Sequence, residues 1–82
     1  MQLYLILAVY VDITEASPEN PVTLECIGSQ QPIEWKSSDG LLAENQTSYN
    51  IESSIDVGNY YCIDGSLNQT DFVAFSKFFM TL

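Results

Sequence analysis

Apolar and polar residues alternate along most of this chain, and the alternation is that of β-strands. Residues 22–26, VTLEC, place three apolar side chains on one parity, and residues 33–36, IEWK, repeat the pattern with Ile33 and Trp35. Successive side chains of a strand point to opposite faces, so each segment predicts a strand with one buried face. Residues 1–13 also alternate. We interpret them as a strand, with a short signal peptide as the alternative, because no basic region precedes the apolar run.

Clusters of turn-forming residues separate these segments. Two prolines occur in residues 16–21, and an Asp-Gly pair closes residues 37–40. Further strands are predicted over residues 49–51, 57–63 and 71–79, with a hairpin loop at 64–70. No segment combines a helix cap with apolar spacing of three and four. Short strands with frequent turns predict an all-β domain built as an antiparallel sandwich or barrel.

Two cysteines, one tryptophan and one tyrosine narrow this prediction. Cys26 and Cys62 fall on predicted strands, Trp35 lies on the strand between them, and Tyr60 precedes the second cysteine in DVGNYYC. This combination is typical of the immunoglobulin fold. There a disulfide joins the two sheets, the tryptophan packs on it, and a tyrosine corner bonds back to the chain. Two buried free thiols are the alternative.

We therefore predict that residues 1–82 form a single immunoglobulin-like domain, a Greek-key sandwich of two antiparallel sheets. Only residues 37–48 separate the tryptophan strand from the next predicted strand. That length leaves room for one short additional strand, which favours a short constant or C2-like type over an antibody-type variable domain.

The composition excludes several classes of function. The chain has eleven acidic residues, two lysines and no histidine, giving a net charge of −9. Such a chain repels phosphate backbones, so we expect no nucleic-acid partner. Without histidine no Ser-His or Cys-His nucleophile can form, and we expect the carboxylates to be solvated or to cap turns. We predict no enzymatic activity, no cofactor and no metal site. A disulfide predicts an extracellular location.

The segment DFVAFSKFF, residues 71–79, is apolar on both parities. As the last strand it is expected at a sheet edge, where an apolar strand is an aggregation hazard unless a partner covers it. We predict pairing with another chain by β-augmentation, with Phe78 on the inner face. The predicted partner-binding side chains point outward from this strand and its neighbour: Val73, Phe75, Lys77, Phe79, Tyr61 and Ile63, rimmed by Glu34 and Lys36. The alternative is that the amino-terminal strand covers this edge.

Two Asn-x-Thr sequons begin at Asn45 and Asn68. Both asparagines fall in predicted loops, where a glycan is tolerated. Each is a predicted glycosylation site.

Taken together, VYVD (9–12), VTLEC (22–26), IEWKSSDGLL (33–42), YNI (49–51) and DVGNYYC (56–62) resemble the ectodomains of the gamma/delta-type chains of the T-cell receptor signalling complex. The resemblance implies a non-enzymatic receptor subunit on the extracellular side of the plasma membrane, in full length a single-pass type I protein. It implies pairing with an epsilon-like chain through the last strand, followed by docking beside the antigen-receptor heterodimer.

The membrane would be contacted only through segments outside these 82 residues, since no run of 18 apolar residues occurs. A rival resemblance is to the first domain of leukocyte Fc receptors, which share VTLEC-like features. An adhesion receptor is a further alternative.

Overall fold

The computed structural model describes residues 8–27 and 30–79, and it is built almost entirely from β-strands. The strands are β1 (Ala8–Asp12), β2 (Val22–Glu25), β3 (Glu34–Ser37), β4 (Gly40–Glu44), β5 (Ser48–Ile51), β6 (Gly58–Ile63) and β7 (Gln69–Phe75). A short 3-10 helix, η1 (Lys77–Phe79), follows the last strand. The first seven residues of the predicted amino-terminal strand lie outside the described residues.

The strands form two sheets. One has five strands in the order β1-β7-β6-β3-β4, and the other pairs β2 with β5. All pairs are antiparallel except β1 with β7, which is parallel. The prediction of two antiparallel sheets is therefore wrong for the larger sheet, which is mixed. The reason is that β1 docks on the last strand of the chain instead of forming a hairpin with β2.

The last strand is not a sheet edge. β1 runs beside β7 from the pair Ala8–Asp71 to the pair Asp12–Phe75, and the Ile13 N–H donates to the Phe75 carbonyl at 2.8 Å. The prediction of an edge strand is wrong, and the alternative, that the amino-terminal strand covers it, is correct. Neighbours on both sides satisfy the backbone of β7, so no second chain is needed to cover a strand edge.

The predicted strand 71–79 is also wrong at both ends. β7 begins at Gln69 and ends at Phe75, so the expected loop at 64–70 is shorter. Beyond Phe75 the Lys77 N–H donates to Thr14 Oγ1 at 3.0 Å, and the Phe78 N–H donates to Ser76 Oγ at 3.3 Å. These side-chain oxygens replace the sheet ladder and turn the chain into η1. Phe78 is consequently 77% exposed instead of lying in the core.

One apolar core lies between the two sheets. Its buried members come from both inner faces and from the segments that follow β1 and β2: Ile13, Leu24, Cys26, Ile33, Trp35, Ile51, Cys62, Phe72 and Ala74. The side chains of β2 and β3 that the alternation predicts to face inward are buried in this core or packed against it, so this prediction is confirmed. Two packed sheets around a buried disulfide are compatible with an immunoglobulin-like sandwich.

The strand registers place the loops at two opposite ends. The upper end, as we name it, holds residues 26–27, 30–33, 45–47 and 64–68, and the lower end holds residues 13–21, 38–39, 52–57 and η1. The described chain therefore enters the fold at the upper end, at Ala8, and leaves β7 at the lower end.

Candidate partner-binding surface

A disulfide fixes the two sheets to each other. Cys26 and Cys62 are bonded, with their Cα atoms 6.3 Å apart, so the predicted bridge is confirmed. Trp35 lies directly opposite Cys62 in the ladder between β3 and β6 and is fully buried. Its Nε1–H donates to the carbonyl of Gln46 at 2.9 Å, which satisfies the one polar atom of the ring.

The tyrosine corner holds the start of β6. The Tyr60 hydroxyl donates to the carbonyl of Asp56 at 2.6 Å, which is the contact that the sequence pattern predicts. Burial raises the pKa of Tyr60, and the negative charge of Asp56 adds to the effect, so the hydroxyl stays protonated further into alkaline solution than that of an ordinary tyrosine. Gly58 adopts a φ of 149°, a conformation that other residues rarely take. The corner therefore fixes where β6 begins.

The outward residues of β6 and β7 lie together on the solvent side of the five-stranded sheet, which we call the outer face. Tyr61 lies opposite Asp71, and Ile63 lies opposite Gln69. Val73 and Phe75 follow Asp71 on the same parity of β7, and both are half-buried, as are Tyr61 and Ile63. Four of the six predicted partner-binding residues thus share one continuous face.

Lys36 and Glu34 flank this apolar group on β3. Lys36 is the cross-strand neighbour of Tyr61, and Glu34 is the neighbour of Ile63. Glu34 also lies opposite Glu44 on β4. The two predicted rim residues therefore border the apolar part of the outer face on its β3 side.

Lys77 and Phe79 lie beyond the strand that was expected to carry them. The Lys77 ammonium is 3.9 Å from Asp12 Oδ2 and is largely exposed. The side-chain hydroxyl and then the backbone N–H of Thr14 lower the pKa of Asp12, with a smaller contribution from Lys77. An exposed pair of this kind contributes little to stability. The backbone N–H of Lys77, which donates to Thr14 Oγ1, joins the chain after β7 to the segment that follows β1. The side chain of Phe79 lies outside what the structure describes.

Tyr10 belongs to the outer face and was not among the predicted residues. It lies on β1 opposite Val73 and is 72% exposed. A shallow depression beside it is lined by Ala8, Asp71 and Tyr61, among others. The alternation of residues 1–13 already put Tyr10 on the outward parity, but only the pairing of β1 with β7 brings it to this face.

Asp64 organises the loop between β6 and β7. Its nearly buried carboxylate accepts hydrogen bonds from the N–H groups of Ser66 and Asn68, both at 2.9 Å, and of Gln30 at 3.3 Å. Burial alone would raise the pKa of Asp64, but the backbone donors, Asn68 foremost, outweigh it and the pKa is lowered. Asp64 caps a turn, one of the two roles expected for the carboxylates from the sequence. Its bond to Gln30, which joins two loops of the upper end, was not predicted.

Both predicted glycosylation sites are exposed at the upper end. Asn45 occupies the turn after β4 with a φ of 59°, and its N–H donates to the carbonyl of Ile33. Asn68 ends the loop that Asp64 holds, and its Nδ2 lies 3.4 Å from Asp64 Oδ2. Their placement is compatible with glycans, and occupancy stays a prediction.

Comparison with known proteins adds no identity to this geometry. No model of a known protein family matches the chain, and no curated protein matches it either. Within residues 8–27 and 30–79, no helix is long and apolar enough to cross a membrane. In the same residues, no three His, Cys, Asp or Glu side chains are grouped so that they could hold a metal ion.

Proposed function

We propose that this chain is the extracellular domain of a leukocyte receptor subunit of the gamma/delta type of the T-cell receptor complex. In this proposal the fold is a Greek-key, C2-like immunoglobulin domain with a binding role and no catalytic one. It pairs with an epsilon-like chain, docks beside the antigen-receptor heterodimer and couples receptor engagement to signalling. The observation that carries the proposal is the outer face.

The outer face has the composition of a protein-binding surface. Tyr10, Tyr61, Ile63, Val73 and Phe75 present aromatic and branched side chains that the fold leaves partly in water. Tyrosine and phenylalanine are enriched where proteins associate, and contiguous exposed apolar groups are uncommon on monomers without a partner. The disulfide, which is compatible with an extracellular or secreted domain, supports the proposed location.

Association through a face replaces the edge-to-edge pairing expected from the sequence. The backbone of β7 is already paired with β1 on one side and with β6 on the other. No row of main-chain donors and acceptors is therefore left on β7 for β-augmentation. The outward side chains of β6 and β7 remain accessible, and they provide affinity by burial instead.

The two sequons support this choice of surface. Asn45 and Asn68 lie at the upper end, whereas Tyr10, Val73 and Phe75 extend from the middle of the sheet towards the lower end. Glycans at both asparagines would leave this part of the outer face open to a partner.

Co-expression with an epsilon-type ectodomain tests the proposal. We expect a soluble one-to-one heterodimer by analytical ultracentrifugation. Tyr61→Ser should abolish or weaken it, and Ile55→Ser, which changes an exposed apolar side chain at the lower end, should not. A chain that remains monomeric with the partner present would contradict the proposal. Homodimers would instead favour an adhesion receptor.

A further inference from the structure

The depression on the outer face contains one carboxylate between aromatic side chains. Asp71 lies opposite Tyr61 on one side and opposite Ala8 on the other. Tyr10, two residues after Ala8 on β1, lines the same depression with its exposed ring, and Asn59 contributes from β6. A negative charge flanked by two tyrosine rings is an arrangement that suits a cation.

Asp71 has no cationic partner among the described residues. Its Oδ1 accepts a hydrogen bond from Gln69 Nε2 at 2.7 Å. Within the described residues, the ion pair that forms joins Lys77 to Asp12 at the lower end, away from Asp71. Lys36 lies on the other side of Tyr61 in the ladder, so the tyrosine separates it from Asp71. The Asp71 carboxylate can therefore accept further hydrogen bonds from a donor that enters the depression.

We propose that this depression receives an arginine side chain of the partner. A guanidinium can donate to the Asp71 carboxylate while its plane stacks on Tyr10 or Tyr61, which an ammonium does less well. The chain's net charge of −9 attracts a cationic partner. A second copy cannot supply the group, because both cationic residues of the sequence are lysines. This inference rests on the proposed function and specifies the chemistry of the partner.

The test uses a small probe and does not need the partner. The ¹⁵N-labelled chain is titrated with N-acetyl-L-arginine amide at constant ionic strength, and N-acetyl-L-citrulline amide serves as the neutral control of nearly the same shape. We expect saturable shifts confined to the amides around Tyr10, Tyr61 and Asp71. The citrulline probe should bind at least about threefold more weakly, the scale of one exposed charge-assisted contact.

Two matched variants assign the effect to one carboxylate. Asp71→Asn should weaken the arginine probe by about threefold to tenfold while the spectrum stays that of a folded chain. Glu19→Gln removes the same charge at an exposed lower-end position and should leave the titration unchanged. Equal binding of both probes, shifts spread over all acidic surfaces, or an unchanged titration of Asp71→Asn would each overturn the proposal.

Failure here is distinguishable from failure of the proposed function. If the heterodimer forms and Tyr61→Ser disrupts it, but the arginine probe does not saturate, then the outer face binds a partner by apolar contact and this inference is wrong. If no heterodimer forms, the arginine inference falls with the proposal on which it rests.

Discussion

The two faces of the five-stranded sheet are built from the same strands, yet they differ sharply in burial. On the inner face Trp35, Cys62, Phe72 and Ala74 are almost completely removed from water. On the outer face, β6 and β7 carry four apolar or aromatic side chains among polar ones, and these four remain partly exposed: Tyr61, Ile63, Val73 and Phe75. The inner face therefore contributes most to the stability of the fold, and the outer face carries apolar area that the monomer leaves partly in water.

This difference separates two explanations of the same composition. Apolar residues on both parities of β7 first suggested a strand edge covered by another chain. The structure accounts for the backbone of that strand with β1 and β6, and it leaves only the side chains of one face unexplained. The backbone of β7 therefore gives no reason to expect a second chain. The partly exposed side chains of the outer face do give such a reason.

Truncating one ring on each face should give the largest contrast in stability. Phe72→Ala removes a buried ring that packs on Trp35, with centroids 5.6 Å apart. It should lower the free energy of unfolding by about 3–5 kcal/mol. Phe75→Ala, three residues later and half-buried, should cost less than about 1.5 kcal/mol. Urea melts of both variants measure this, and equal losses would mean that the two faces are equivalent.

Removing the disulfide should lower the free energy of unfolding nearly as much as Phe72→Ala does. The Cys26→Ala, Cys62→Ala double variant should lose about 2–5 kcal/mol, which is comparable to the whole stability of a small domain. Loss of near-ultraviolet circular dichroism would report the unfolding. A cooperative melt with the native midpoint would show that the inner face holds the sheets together without the disulfide.

Gly65 and Ser66, neighbours in the loop between β6 and β7, allow a similar contrast at the upper end, between a position without room for a Cβ and one with an exposed side chain. A Cβ on Gly65 would clash with the backbone carbonyl of Gln31. Gly65→Ala should therefore force the two loops apart and cost about 1–3 kcal/mol. Ser66→Ala, at an exposed side chain, should leave the urea midpoint unchanged. If Gly65→Ala is equally silent, the two loops are not packed as described.

The smallest effect is expected from a single hydroxyl. Tyr60→Phe removes the bond to the Asp56 carbonyl but keeps the ring, so it should cost about 0.5–1.5 kcal/mol. Tyr61→Phe, on the outer face, is the matched control and should have no effect on the monomer. Indistinguishable midpoints for the two variants would mean that the corner bond contributes nothing to stability.

Sequence analysis predicted the parts of this molecule that depend on local pattern. The spacing of four residues predicted their contacts, because a disulfide and a tyrosine corner each bring fixed chain positions together: Cys26, Trp35, Tyr60 and Cys62. The period of two also placed Tyr61 outward, since one inward residue decides the parity of a whole strand.

It left open which strand would pair with β7, because the amino-terminal strand and another chain were both candidates. The position of β7 inside the sheet depends on β1, more than fifty residues away in sequence, and alternation alone does not specify a parallel neighbour. Phe78 was misplaced because Thr14 and Ser76 end the strand through their side-chain oxygens. Tyr10 was not predicted as a partner-binding residue, because only the pairing of β1 with β7 places its outward side chain next to Val73.

The most direct test of the central claim is the dissociation constant of the complex with an epsilon-type ectodomain, measured for wild type and for Phe75→Ser. Burying one aromatic ring contributes about 1.5–3 kcal/mol, so the constant should rise about tenfold to a hundredfold while the monomer stays folded. A constant unchanged in Phe75→Ser and also in Tyr61→Ser would show that the outer face is not the partner-binding surface.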